Sequence, residues 1–230
     1  MMSTISGTTG TIRAVAGRDA ARRARPLLLA GVVAGPIYVI TSLTQALTRE
    51  GFDLSRHAWS LLATGDLGWI QRANLLVTGL LVALFAVGLR HGLAGGTGAT
   101  WVPRLIGLFG VGMVLASFFS ADPALGFPPG TPEDYRQMSW HGALHVVTAS
   151  TGFVGVIAAC LIMTRRFAEC ARRGWAVWSA ATGMLYVGAL VGLSSTGTPF
   201  WIFTFTGAVV LVFTWLAALA MDTRGGQRPL

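Results

Sequence analysis

The chain has 230 residues, 53% hydrophobic and only 11% charged, with a mean hydropathy of +0.62. So little polar surface cannot coat a soluble globule of this size, and one membrane domain is the natural reading. Every basic residue is arginine and the formal charge is +8, but the arginines gather at the borders of apolar runs, which points to membrane orientation and away from a nucleic-acid partner.

In chain order, residues 1–26 are rich in Thr, Gly, Ala and Arg without apolar periodicity and read as a disordered basic cytoplasmic tail. Six apolar stretches follow, at 27–47, 73–91, 101–121, 140–163, 175–195 and 199–220. Each is close to the roughly 20 residues a helix needs to cross a bilayer. The expected fold is therefore all-α: a polytopic bundle of six transmembrane helices over 27–222, with 223–230 a second cytoplasmic tail. Continuous runs rather than alternation argue against a barrel. The first run exceeds the ~7 to 15 residues of a signal-peptide core, so it reads as an uncleaved anchor.

In a six-span arrangement Arg90, Arg104, Arg165, Arg172 and Arg224 share one side with the arginines of the N-terminal tail, whereas only Arg49, Arg56, Arg72 and Arg136 lie on the other. The positive-inside rule then predicts that both termini are cytoplasmic, in the plasma membrane.

The outer connections carry the material for chemistry. Between Thr48 and Arg72, residues Leu54 to Ala63 are predicted to form a short helix begun by Asp53 or Ser55, with Trp59 and Trp69 at the membrane interface. The Pro- and Gly-punctuated run from Asp122 to Pro132 is predicted to be rigid, and Thr131, Pro132 and Asp134 outline a capping box leading into the fourth span. Gly31 with Gly35 and Gly188 with Gly192 are small-residue pairs suited to close helix packing. Cys160 and Cys170 form no disulfide framework and read as reduced.

His141 and His145 are four residues apart on the fourth span, one turn apart on one helix face. Asp122 lies at the same level, and His57 and Ser60 fall on the outer loop helix. Imidazoles with a carboxylate and an open position are what a catalytic zinc requires to activate water; His57, His141 and His145 are the candidate ligands, and Asp122 and Ser60 the candidate catalytic groups. A plainer account stands beside this. His141 caps or bonds backbone, Asp122 anchors its loop through nearby N–H groups, and Thr41, Gln45, Gln71, Asn74 and Thr148 either line an outward cavity or satisfy one another between helices. Haem fits poorly, since axial ligands approach from opposite faces and these two histidines share one. A serine-hydrolase set of Asp53, His57 and Ser60 is also disfavoured, because side chains on one short helix rarely converge on a reacting atom.

The order Gly35-Pro36, Gly51-Phe52-Asp53, Gly65-x-x-Gly68-Trp69-Ile70-Gln71, Asp122-Pro123, Gly126-Phe127-Pro128-Pro129-Gly130 and Trp140-His141-Gly142-x-x-His145 resembles the bacterial and archaeal membrane family called domain of unknown function 998. That resemblance implies six spans and no mechanism. A looser similarity to alkaline ceramidases and adiponectin-type receptors implies zinc hydrolysis of a lipid, although those proteins have seven spans and a different histidine placement.

Two functions are thus in contention. One is a zinc-dependent hydrolase acting on a lipid or other amphiphile at the outer face. The other is a non-catalytic protein that binds or transports a small lipid or solute through an outward-open cavity, or a structural component of the bilayer, with oligomeric state left open.

Overall fold

The computed structural model describes residues 5–93, 95–135 and 137–225. Its elements are α1 (Ile5–Thr48), a short 3-10 turn η1 (Trp59–Ala63), α2 (Gly68–Gly92), α3 (Trp101–Phe118), α4 (Trp140–Glu169), α5 (Arg173–Ser195) and α6 (Pro199–Gly225). Each of the six α-helices holds a stretch long and apolar enough to cross a membrane. The chain is a multi-pass, all-helical membrane protein, as its apolar runs require.

The helices outrun those apolar stretches. Helix α2 begins at Gly68, and α4 continues through Arg165 and Arg166 to Glu169. The connection left between the spans expected at 140–163 and 175–195 therefore shrinks to a tight link between Glu169 and Arg173. The α1 backbone is helical from Ile5, where a disordered tail as far as residue 26 was expected. Ala and Arg are strong helix formers, and the segment runs straight on from a span. Residues 1–4 of that tail and 226–230 of the C-terminal one lie outside the described residues.

Consecutive helices lie side by side and α1 closes against α6, so the bundle is a ring in chain order. One end carries η1 and the 119–139 connection, here the loop end. The opposite end carries the α2–α3 and α4–α5 links and the end of α6, here the terminal end. In hydrocarbon, apolar burial gives helices no net drive to associate, so fit and polar contacts must hold them.

Fit is closest around α3. A Cβ on Gly79 would lie 2.7 Å from the Gly110 carbonyl oxygen, and one on Gly110 would lie 2.8 Å from the Gly79 carbonyl, so α2 and α3 touch backbone to backbone. On the other flank, Gly112 faces the Thr148 carbonyl at 2.8 Å and Gly155 faces that of Leu105 at 2.7 Å. The small-residue pairs singled out in the sequence serve differently. Gly31 makes room for the Phe85 ring, Gly35 for Phe213 and Gly192 for Trp201, whereas Gly188 faces open space.

Polar contacts join α1 and α2 inside the loop-end half. Gln45 Nε2 donates to Gln71 Oε1 at 2.9 Å, Gln71 Nε2 donates to Ser42 Oγ at 3.1 Å, and Asn74 Nδ2 reaches the Tyr38 carbonyl at 3.2 Å. Of the two roles open to these residues, satisfying one another between helices is the one adopted. At the terminal end, buried Arg166 donates to the carbonyls of Gly95 and Thr97 at 2.8 and 2.9 Å, and Arg172 grips Asp222 of α6 in two bonds of 2.8 and 2.6 Å. Leu28, Phe85, Leu89, Met163, Phe167 and Leu216 pack this end solidly, each almost fully buried.

Adding a side chain where backbones touch forces the helices apart. Gly110→Val should lower stability by about 1–3 kcal/mol or more, the usual cost of overpacking. Gly188→Ala, in open space, should change it by less than about 0.5 kcal/mol. Thermal unfolding in matched bilayer discs distinguishes the two, and equal effects would contradict the backbone contact.

Candidate functional site

The loop end is closed by a cap assembled from both of its connections around Phe127, which is wholly buried. Phe52 meets the Phe127 ring edge-on at 5.1 Å, His57 lies 5.5 Å away, and the Arg49 guanidinium sits 4.8 Å over it. Arg49 also donates to the carbonyls of Leu62 and Thr64 at 2.6 and 2.7 Å. It thereby ties the end of α1 to η1. Burial lowers the Arg49 pKa from its ordinary value and Asp66 opposes that shift. Arg56 pairs with Glu133 across the two connections.

The helix expected over Leu54 to Ala63 reduces to η1, because Asp53 turns the chain instead of capping a helix. Its Oδ1 accepts from the Ser55 N–H at 2.8 Å and from the Ser55 hydroxyl at 2.7 Å. His57 completes that turn. Nδ1 accepts from the Asp53 N–H at 2.9 Å, which fixes the proton of the neutral ring on Nε2, and Nε2 donates to the Leu125 carbonyl at 3.0 Å. Both ring nitrogens are thus committed to backbone.

Asp122 accepts from the Ser139 N–H at 2.8 Å and from the Ser139 hydroxyl at 2.5 Å, while Ser139 Oγ accepts from the Gly142 N–H at 3.0 Å. This relay caps α4, so the helix starts at Ser139 and not at the capping box outlined by Thr131 to Asp134. A Cβ on Gly142 would displace the Asp122 carboxylate from this position. The loop-anchoring role is therefore the one Asp122 fills. His141 lies against Trp140, with ring centroids 3.5 Å apart. His145 is buried, and its Nδ1 lies 2.7 Å from the Phe119 carbonyl and 3.4 Å from that of Ala116.

His57, His141, His145 and Asp122 all lie toward the loop end, but the structure does not gather them. Among the described residues no three His, Cys, Asp or Glu side chains are grouped to hold a metal ion. Backbone engages these groups instead: His57 is held between the Asp53 N–H and the Leu125 carbonyl of the other connection, and Asp122 by Ser139 at the α4 N-terminus.

What the ring does enclose is a cavity of about 230 Å³ beneath η1. Ala58, Trp59 and Ser60 form its roof, and all six helices contribute wall. Aromatic rings dominate: Tyr38 of α1, Phe109 of α3, Phe153 of α4, Tyr186 of α5, and Phe205 and Phe213 of α6. His145, Ser60, Ser150 and Thr206 supply polar groups. Two predicted site residues, Ser60 and His145, therefore do share one space, although as wall groups and not around a metal. Exposed Val146 and Ser150 on α4, with half-buried Leu193 on α5, belong both to the wall and to the lipid-facing flank. The cavity accordingly reaches the side of the bundle, while the buried Trp59, Leu61 and Leu62 close it toward the loops. No sequence signal marked the aromatic wall, because its members read as ordinary apolar span residues.

Compared with known proteins, residues 32–222 match the family described as "Protein of unknown function (DUF998)". A conjugal transfer protein TraB of Agrobacterium fabrum is 30% identical over 185 residues, covering 77% of this chain and 40% of that protein. The chain thus spans less than half the length of that relative. No solved structure matches.

The cap should loosen in acid. Asp53 is held below its ordinary value of 3.8 by hydrogen bonds from the Ser55 side chain and backbone, and Glu133 below 4.5 by its hydrogen bond from Arg56. A carboxyl lowered in this way adds stability that is complete above its ordinary value and vanishes as the pH falls through the lowered one. Hydrogen-exchange protection of residues 50–57 and 125–135, corrected for intrinsic rate, should hold steady from neutrality to roughly pH 5 and decline below roughly pH 4. Constant protection down to pH 3 would remove these carboxylates from the account.

Proposed function

The chain belongs to the family described as protein of unknown function (DUF998), and on that premise we propose that this member is a binding protein for amphiphiles, taking an apolar chain into its central cavity from the bilayer. One observation carries the reading: the cavity is walled by aromatic and aliphatic groups, roofed toward the loops, and continuous with the flank that faces lipid. Small-molecule sites have this character, mostly apolar with few polar groups. A water-soluble solute would need access through η1, where Leu62 is fully buried.

Hydrolysis draws less support from the same wall. Ser60 and His145 line it together, but Nδ1 of His145 meets carbonyl oxygens where a catalytic histidine meets an orienting carboxylate. Asp122, the candidate for that carboxylate, is engaged by Ser139.

The reading extends to orientation. Arg90, Arg104, Arg165, Arg172 and Arg224 belong to the terminal end, whereas at the loop end Arg49 and Arg56 are engaged inside the cap. Both termini then face the cytoplasm of a plasma-membrane protein, and the cavity lies in the outer leaflet.

Two measurements test this. Protein purified in mild detergent and examined by native mass spectrometry should retain a bilayer-derived amphiphile. Ala149→Trp, which fills the cavity from α4, should lose it while helicity and unfolding temperature stay within a few degrees of the parent. Equal retention by the variant, or none by either, would refute the binding role. In intact cells a membrane-impermeant maleimide should label Glu50→Cys and leave the native half-buried Cys170 unlabelled until the cells are opened.

A further inference from the structure

We propose that the cavity selects neutral amphiphiles whose head donates a hydrogen bond, a hydroxyl-headed chain above all, and discriminates against anionic lipids and fatty acids. This deepens the binding role above and rests on it. His145 is 6% exposed and belongs to the cavity wall. Both neighbours of its Nδ1 are backbone carbonyls, those of Phe119 and Ala116. A carbonyl only accepts, so Nδ1 carries the proton and the neutral ring presents Nε2 as a bare acceptor. Among the described residues Nε2 has no hydrogen-bond partner, and in the roof the buried Trp59 Nε1 donor also lacks one, so a hydroxyl, which both donates and accepts, can serve the two. An acceptor in apolar surroundings favours a ligand that brings a donor.

The rest of the wall fixes the charge of that ligand. Among the described residues no arginine and no carboxylate lines the cavity. Three loop-end charges are engaged elsewhere: Arg49 by Leu62, Thr64 and the Phe127 face, Arg56 by Glu133, and Asp122 by Ser139. An anionic head would therefore enter without a guanidinium to meet it, and an unpaired buried charge is far more costly than a buried hydroxyl with a partner. The hydroxyls of Ser60, Ser150 and Thr206 can serve a second hydrogen bond of a neutral head, and the aromatic wall takes the tail.

The test uses the full chain in phosphatidylcholine discs with a photoreactive diazirine analogue of dodecanol. Crosslinks at cavity peptides are mapped and then competed with dodecanol, its methyl ether or dodecanoate at matched bilayer concentrations. Dodecanol should compete about tenfold better than either of the others, the worth of one net hydrogen bond. His145→Asn keeps a side-chain N–H where Nδ1 stood and removes Nε2. It should bring the alcohol-to-ether ratio near one while still capturing a headless alkyl diazirine, which shows the cavity intact. Equal competition by ether and alcohol in the parent, an unchanged ratio in His145→Asn, or preference for dodecanoate would each overturn the selectivity. Those results would leave the binding role standing if Ala149→Trp abolishes capture of every probe. Capture insensitive to Ala149→Trp would overturn both.

Discussion

Arg49 holds the molecule's loop end together. It stands at the exit of α1, donates to two carbonyls that flank the last residues of η1, and covers the face of Phe127 from the other connection. Three segments distant in sequence thus meet at one guanidinium, whose planar fork suits two carbonyls and an aromatic face at once. Because that junction draws η1 across the ring, the space beneath is covered on the loop side. Its most exposed wall residues lie along the flank.

The ring is uneven for reasons written in its side chains. Around α3 the glycines at 79, 110, 112 and 155 let backbones touch. On the opposite side, α5 and α6 meet their neighbours through Tyr186, Phe205 and Phe213, whose rings stand off at centroid distances of 5 to 6 Å. Close backbone contact leaves no gap, whereas large rigid rings packed at angles leave one. Placing both kinds of contact in one ring puts the void on the aromatic side and toward the loop end, away from the solid packing of Leu28, Leu89 and Leu216.

The spans were legible because a bilayer imposes one requirement, a continuous apolar run of sufficient length, and the chain meets it six times. Boundaries were less so. Gln71, Arg165 and Arg166 read as polarity beyond the span ends, but each is satisfied inside the bundle or snorkels at its rim, so helices continue through them. At the site, the level of His57, His145 and Asp122 in the membrane could be inferred, whereas their partners could not. Which carbonyl an imidazole meets depends on the path of a remote loop, and no spacing rule encodes that path. The glycine contacts escaped because only glycine–glycine pairs at four-residue spacing were singled out, whereas Gly110 packs on Gly79 and Ala83, a pair at that spacing in which the second small residue is alanine.

Arg172 and Asp222 join the start of α5 to the end of α6 with a two-pronged bond, and the same guanidinium lies 4.9 Å over Phe167 and 5.0 Å over Trp175. Helix α5 extends 23 residues from that rivet, or roughly 34 Å. Any breathing of the flank is then rotation about a fixed foot, with displacement growing in proportion to height. A tilt of about 3° would shift the far tip by roughly 2 Å over that length, enough to alter passage for a methylene chain while the foot of the helix barely stirs.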